Sequence, residues 1–216
     1  DCDVQILITN KGRLKSLESI IDAVPSVKYI IVIDTESVDD HQVGDIKIIS
    51  WQTLLATQAE KSNELFRTSS DMAAILYTSG STGKPKGVVL SHTNIVQGAI
   101  SVSTYLENTA DDVILALLPL SFDYGFSQIT TAFLVGTSCA LLDYLLPNDV
   151  LKAIDTYKVT GLAAVPPLWS QLCNLKWQEG TASSVRYFTN SGGALTRTNL
   201  SQLRKLMPQA KPYLMY

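Results

Sequence analysis

Between Thr78 and Gly87 the chain runs Thr-Ser-Gly-Ser-Thr-Gly-Lys-Pro-Lys-Gly. Three glycines let the backbone enter positive φ and turn successive N–H groups toward one point, which makes a concave anion site. Thr78, Ser79, Ser81 and Thr82 add hydroxyl donors. Lys84 and Lys86 add charge, with Pro85 stiffening the segment between them. No carboxylate interrupts the run, as suits a site for a polyphosphate. A Walker loop is excluded: Gly80 to Gly83 is too short a spacing, a proline follows the first lysine, and a strand comes next instead of a helix. Composition alone leaves a second reading open, a hairpin loop built of common turn formers.

The segments that hold this loop read as strands. "MAAILYT" (72–78) precedes it and "GVVLS" (87–91) follows, after which Ser91 caps a helix over 92–106. Upstream, short β-branched runs predict strands at 4–9, 29–34 and 45–50, with helices over 13–24 and 51–59 and polar loops at 35–44 and 60–70. Downstream, strands at 113–118, 137–142, 161–165, 185–190 and 211–215 alternate with helices over 124–134, 148–157, 167–175 and 197–206, the last capped by Thr196. This alternation predicts an α/β fold with parallel-rich sheets flanked by helices. Chain order suggests a first α/β part, 1–91, ending in the loop hairpin, and a second, 92–216.

Bulk composition narrows the classes. The chain has 216 residues, 46% apolar and 17% charged, enough to bury a core. Its net charge of −3 exerts no general pull toward nucleic acid or anionic membrane, so any anion site is local. No run of about 18 apolar residues predicts a membrane span. Three scattered cysteines without a CxxC pair suit a reducing, cytoplasmic compartment. The chain opens without Met inside a strand-like run and stops in another, as expected of a segment from a longer sequence.

Taken whole, "YTSGSTGKPKGVVLSH" (77–92) resembles the phosphate-loop signature of the adenylate-forming superfamily, which includes acyl- and aryl-CoA synthetases, fatty-acid AMP ligases, peptide-synthetase adenylation domains and luciferases. Three further stretches agree in order and spacing: "LLPLSFDYGFSQ" (117–128), "FTNSGGAL" (188–195) and "PYLMY" (212–216), the last similar to the strand entering a Tyr-Gly-x-Thr-Glu motif. The resemblance implies ATP-dependent activation of a carboxylic acid to an acyl-adenylate, then transfer to a thiol of CoA or of a carrier-protein pantetheine. It implies ATP and Mg²⁺ as cofactors. Thr78 and Lys86 would act on the phosphates with Ser79, Gly80, Ser81, Thr82 and Gly83, Lys84 being more exposed; Thr78 is also the contact implied for the Mg²⁺ that ATP carries. Ser191, Gly192, Gly193 and Ala194 would lie along adenine, with the Tyr216 ring stacked on it.

Phe122 and Asp123 depart from the His common in CoA synthetases and are similar to the Phe-Asp of amino-acid adenylation domains, whose Asp pairs with an ammonium. Asp123 reads equally as a helix N-cap, and Trp169 as an acyl-pocket wall or as core. The Thr and Glu expected after Tyr216, a later ribose-binding Asp and a small C-terminal domain with its Lys lie outside this chain. Residues 1–216 are therefore expected to be part of a large domain and inactive alone. A non-catalytic phosphate-binding module and an amino-acid adenylation domain remain as alternatives.

Overall fold

Short runs of apolar residues buried on both faces can be satisfied only between layers, and the five-stranded sheet of the computed structural model is built this way, with every residue of its two central strands, Gly161–Ala164 and Tyr187–Asn190, buried. The structure describes residues 2–34, 40–57, 66–78 and 85–215. They fall into two compact units, 1–66 and 67–216.

The first unit carries β1 (Ile6–Thr9), α1 (Lys11–Glu18), β2 (Tyr29–Val32), β3 (His41–Val43), β4 (Ile46–Ser50) and α2 (Trp51–Ala56). Its sheet has the order β1-β2-β4-β3. The first three of these pair in parallel, around Ile30, Val32 and Ile48, all fully buried. The helix expected over 13–24 ends at Glu18 and gives way to a 3-10 turn, Ile21–Ala23. Within the stretch expected as loop, His41–Val43 pairs antiparallel with β4. Its backbone hydrogen bonds, with Gly44 at φ +59° closing the turn, build a strand too short for its side chains to show a period. Residues 35–39 of that stretch lie outside the described residues.

The second unit opens with the hairpin β5 (Met72–Thr78) and β6 (Lys86–Ser91), followed by α3 (His92–Leu106), β7 (Val113–Ala116), α4 (Asp123–Val135) and β8 (Ser138–Leu141). It continues with α5 (Pro147–Tyr157), β9 (Gly161–Ala164), α6 (Pro166–Cys173), β10 (Tyr187–Asn190), α7 (Arg197–Leu206) and β11 (Lys211–Leu214). The segments flanking the hairpin are bonded to the head of α3. Ser91 caps that helix by a reciprocal pair with Asn94, and the backbone N–H groups of His92 and Thr93 donate to Asp71 and Ser69.

The main sheet is wholly parallel, in the order β11-β10-β9-β7-β8. Leu115, Leu162 and Phe188 alternate onto one face and form the core with Ile154, Leu172, Leu203 and Met207 of α5, α6, α7 and the residue after it. Ile114, Gly161, Ala163, Tyr187 and Thr189 alternate onto the other face, under α3 and α4.

The amino ends of β7, β9 and β10 are tied by one carboxylate. Asp112 accepts from Arg186 Nη2 (2.8 Å) and Nε (3.1 Å), Thr160 Oγ1 (2.7 Å) and the Thr109 N–H (2.8 Å). Burial alone would raise its pKa, but these hydrogen bonds outweigh burial and hold it below the usual carboxylate range. Asp112→Asn is expected to cost about 2–3 kcal/mol in urea unfolding at neutral pH, below the roughly 3–5 kcal/mol of breaking a fully buried pair because Arg186 is partly exposed. Because the folded pKa is depressed, the contribution is full above the unfolded pKa of about 4 and fades as pH falls below it. The gap between variant and wild type should therefore narrow in acid and stay constant from about pH 5 to 8.

Candidate active site

Ligand sites in parallel sheets lie beyond the carboxyl ends of the strands, where the backbone turns away and leaves room. Here a cleft of about 680 Å³ opens past the ends of β10 and β11. Asn190 to Leu195, Leu214 and Met215 line one side, and Phe122 and Asp123 at the head of α4 line the other. The volume is that of a small-molecule site.

Two glycine contacts set its shape. A Cβ on Gly125 would overlap the Pro119 carbonyl oxygen and come within 2.7 Å of that of Leu118. Only glycine lets the first turn of α4 press onto the backbone leading into it, and this contact aims Phe122 and Asp123. Gly192, at φ +75°, lies in the left-handed region, and a Cβ there would stand 3.6 Å from Phe122 Cζ and 3.4 Å from Val165 Cγ1. The "SFDYG" and "SGG" stretches thus meet face to face across seventy residues of sequence. Asn190 pins the glycine turn by donating from Nδ2 to the Gly193 carbonyl (2.8 Å).

Ser191, Gly192, Gly193 and Ala194 therefore share one cleft with Phe122 and Asp123. Asp123 is not the N-cap: Phe122 holds that position, and Asp123 begins the helix with its Oδ1 accepting from the Tyr124 N–H (2.8 Å). Its carboxylate is exposed, and it also borders a smaller cleft of about 120 Å³ that reaches Leu76 and Leu90 of the hairpin. In the hairpin, register pairs Thr78 with Lys86 at the mouth of the connection, where both are exposed. Ser79, Gly80, Ser81, Thr82, Gly83, Lys84 and Tyr216 lie outside the described residues. Trp169 lines neither cleft. It is fully buried, edge-on to Phe188 at 5.4 Å, with Nε1 donating to the Ala164 carbonyl (3.1 Å), and it belongs to the core.

Sequence reasoning missed Asn190 and Met215, and the polar face of α4 formed by Tyr124, Gln128 and Thr131. Steps of four and three place those three on one side of an otherwise apolar helix, and that spacing was the available signal. The Tyr124 hydroxyl is hydrogen-bonded to Thr189, and burial pushes its pKa well up, so it stays protonated. Among the described residues no group of three or more His, Cys, Asp or Glu gathers to hold a metal, and no helix is long and apolar enough to cross a membrane.

The profile of the AMP-binding enzymes matches residues 1–216. The chain belongs to the AMP-binding enzyme family. Its curated relatives in this family include the medium-chain fatty-acid–CoA ligase of Escherichia coli (strain K12), 29% identical over 80% of this chain and 30% of that protein. Bacitracin synthase 3 of Bacillus licheniformis is 34% identical over 66% of this chain and 2% of its own length. A putative long-chain-fatty-acid CoA ligase from Rhodopseudomonas palustris shares the fold, with a TM-score of 0.79 at 19% identity, covering 97% of this chain and 49% of that one. The chain thus spans under a third of the first relative's length.

Gly125→Ala should lower stability by about 2–3 kcal/mol, read as a fall in Tm of about 5–10 °C, because backbone must move to admit the methyl group. Gly98→Ala, mid-helix in α3 with nothing within 4 Å of the new Cβ, should raise stability by about 0.5–1 kcal/mol. Calorimetry of both variants checks the contrast.

Proposed function

We propose that this chain is the nucleotide-binding part of an AMP-forming acid–thiol ligase that activates a carboxylic acid with ATP and passes the acyl group to CoA or a carrier-protein pantetheine. The observation that carries the reading is the convergence of Phe122, Asp123 and the Ser191–Ala194 turn on one cleft at the carboxyl edge of the sheet. The family match and the ligase relatives support it.

In this reading the flat, side-chain-free turn at Gly192 and Gly193 receives adenine, with Tyr216 stacked against it. The substrate carboxylate attacks the α-phosphorus, the bond to the bridging oxygen breaks, and pyrophosphate leaves. Thr78, Lys86 and the N–H and hydroxyl groups of residues 79–83 neutralise the leaving group and hold it in line. The thiol then attacks the acyl carbon, and AMP departs. Thr78 is the residue of this chain that would meet Mg²⁺ carried by the phosphates, and the ion would add positive charge there. A second reading, activation of an amino acid, is favoured by the free rim position of Asp123, where a substrate ammonium could pair with its carboxylate.

Pyrophosphate exchange by the full-length protein, over a panel of fatty, aromatic, hydroxy and amino acids, tests the proposal. Lys86→Ala and Thr78→Ala should each lower kcat/KM about 10- to 100-fold. Unchanged exchange in both would remove the hairpin from the site. Residues 1–216 alone should form no adenylate with any acid, since the described residues supply no acidic cluster to organise a metal at the phosphates; detection of an adenylate by mass spectrometry would contradict this.

A further inference from the structure

Under α4, a cavity of about 20 Å³ lies against the sheet face of Gly161, Tyr187 and Thr189. Met215 lines both this cavity and the main cleft. Gly161 makes room for it: a Cβ there would overlap the Tyr187 hydroxyl, which stands in the cavity wall.

Three side-chain oxygens in that wall have no partner: Gln128 Oε1, Thr131 Oγ1 and Asn108 Oδ1. Gln128 is 7% exposed and Thr131 1%, so water outside the fold does not reach them. Both amide nitrogens are already engaged. Gln128 Nε2 donates to the Leu115 carbonyl (2.9 Å), and Asn108 Nδ2 donates to the Tyr187 hydroxyl (3.0 Å). These bonds fix which way each amide points and leave the two carbonyl oxygens over. Buried acceptors without donors are rare because each forfeits its hydration. Their collection in one cavity, beside a threonine hydroxyl that can both give and take, describes a receptor for a hydrogen-bond donor.

The donor is neutral and small. Among the described residues no charged side chain lines the cavity, and burial keeps the Tyr124 and Tyr187 hydroxyls protonated, so an ammonium would find no counter-charge there. About 20 Å³ holds one or two groups the size of a water molecule, which excludes a long alkyl chain.

We propose that this cavity receives the tail of the activated acid and selects a short carboxylic acid whose tail carries a hydroxyl or a primary carboxamide over its methyl-ended isostere. The inference rests on the adenylation reading above. A tail hydroxyl donates to Gln128 Oε1 or Asn108 Oδ1 and accepts from Thr131. A methyl group of the same size fills the space and leaves all three oxygens unpaired, a mismatch that sites of this kind reject strongly.

The test is pyrophosphate exchange by the full-length protein on matched pairs: γ-hydroxybutyrate against pentanoate, and succinamate against isocaproate. At least one polar acid should exceed its methyl-ended partner about 100-fold in kcat/KM. Thr131→Val and Gln128→Leu should each cut that ratio about tenfold or more, chiefly by improving use of the methyl-ended acid. A variant that merely disturbed folding would lower both rates and leave the ratio standing, which counts against the proposal, as does wild-type use of the methyl-ended acids equal to or better than the polar ones. Exchange with methyl-ended acids alone overturns this inference and leaves adenylation intact. Exchange with no acid overturns both.

Discussion

One close backbone approach governs the site. Because Gly125 has no side chain, the first turn of α4 rests on the carbonyls of Leu118 and Pro119. That contact decides where the helix begins and how it is rotated. From it follow Phe122 against the glycine turn, Asp123 on the rim of two clefts, and Tyr124, Gln128 and Thr131 facing the sheet. Any larger residue at 125 would move all of these together, since a helix shifts as a rigid body.

The main sheet divides its labour between its edges. At the amino ends of β7, β9 and β10, Asp112, Thr160 and Arg186 form a saturated polar network in which every carboxylate oxygen is hydrogen-bonded. At the carboxyl ends, Asn190 keeps an acceptor without a partner and the glycine turn leaves a cleft open. Satisfied polar groups stabilise, whereas a buried acceptor without a donor forfeits its hydration. The cavity under α4 extends the second pattern inward, with its acceptors set by the same helix that frames the cleft.

Much of the architecture was legible in sequence because parallel sheets bury their strands on both faces. Runs such as "YIIVID" and "VILALL" announce themselves without alternation, and α3 ran from His92 to Leu106 as its cap and period required. His41–Val43 was not legible, since a three-residue edge strand is made by its partner's backbone and not by its own side chains. The tie between the head of α3 and the segment before the hairpin was equally hidden, because it runs through backbone bonds at Ser69 and Asp71. Trp169 was ambiguous for another reason: a large aromatic next to a Pro-Pro helix start suits a pocket wall and a core alike, and only the neighbouring Phe188 decides between them.

By itself the sequence determined the chemistry on offer. A glycine- and hydroxyl-rich connection with lysines suits an anion, and a Gly-Gly turn after a buried strand gives a flat surface, because these follow from residue types and local backbone freedom. Tertiary structure decided which of these residues act together. The packing of Phe122 on Gly192, the rim position of Asp123 and the three unpaired oxygens under α4 join residues from Asn108 to Met215. No local pattern encodes such contacts, since each depends on which strand lies beside which and on how closely one backbone can approach another.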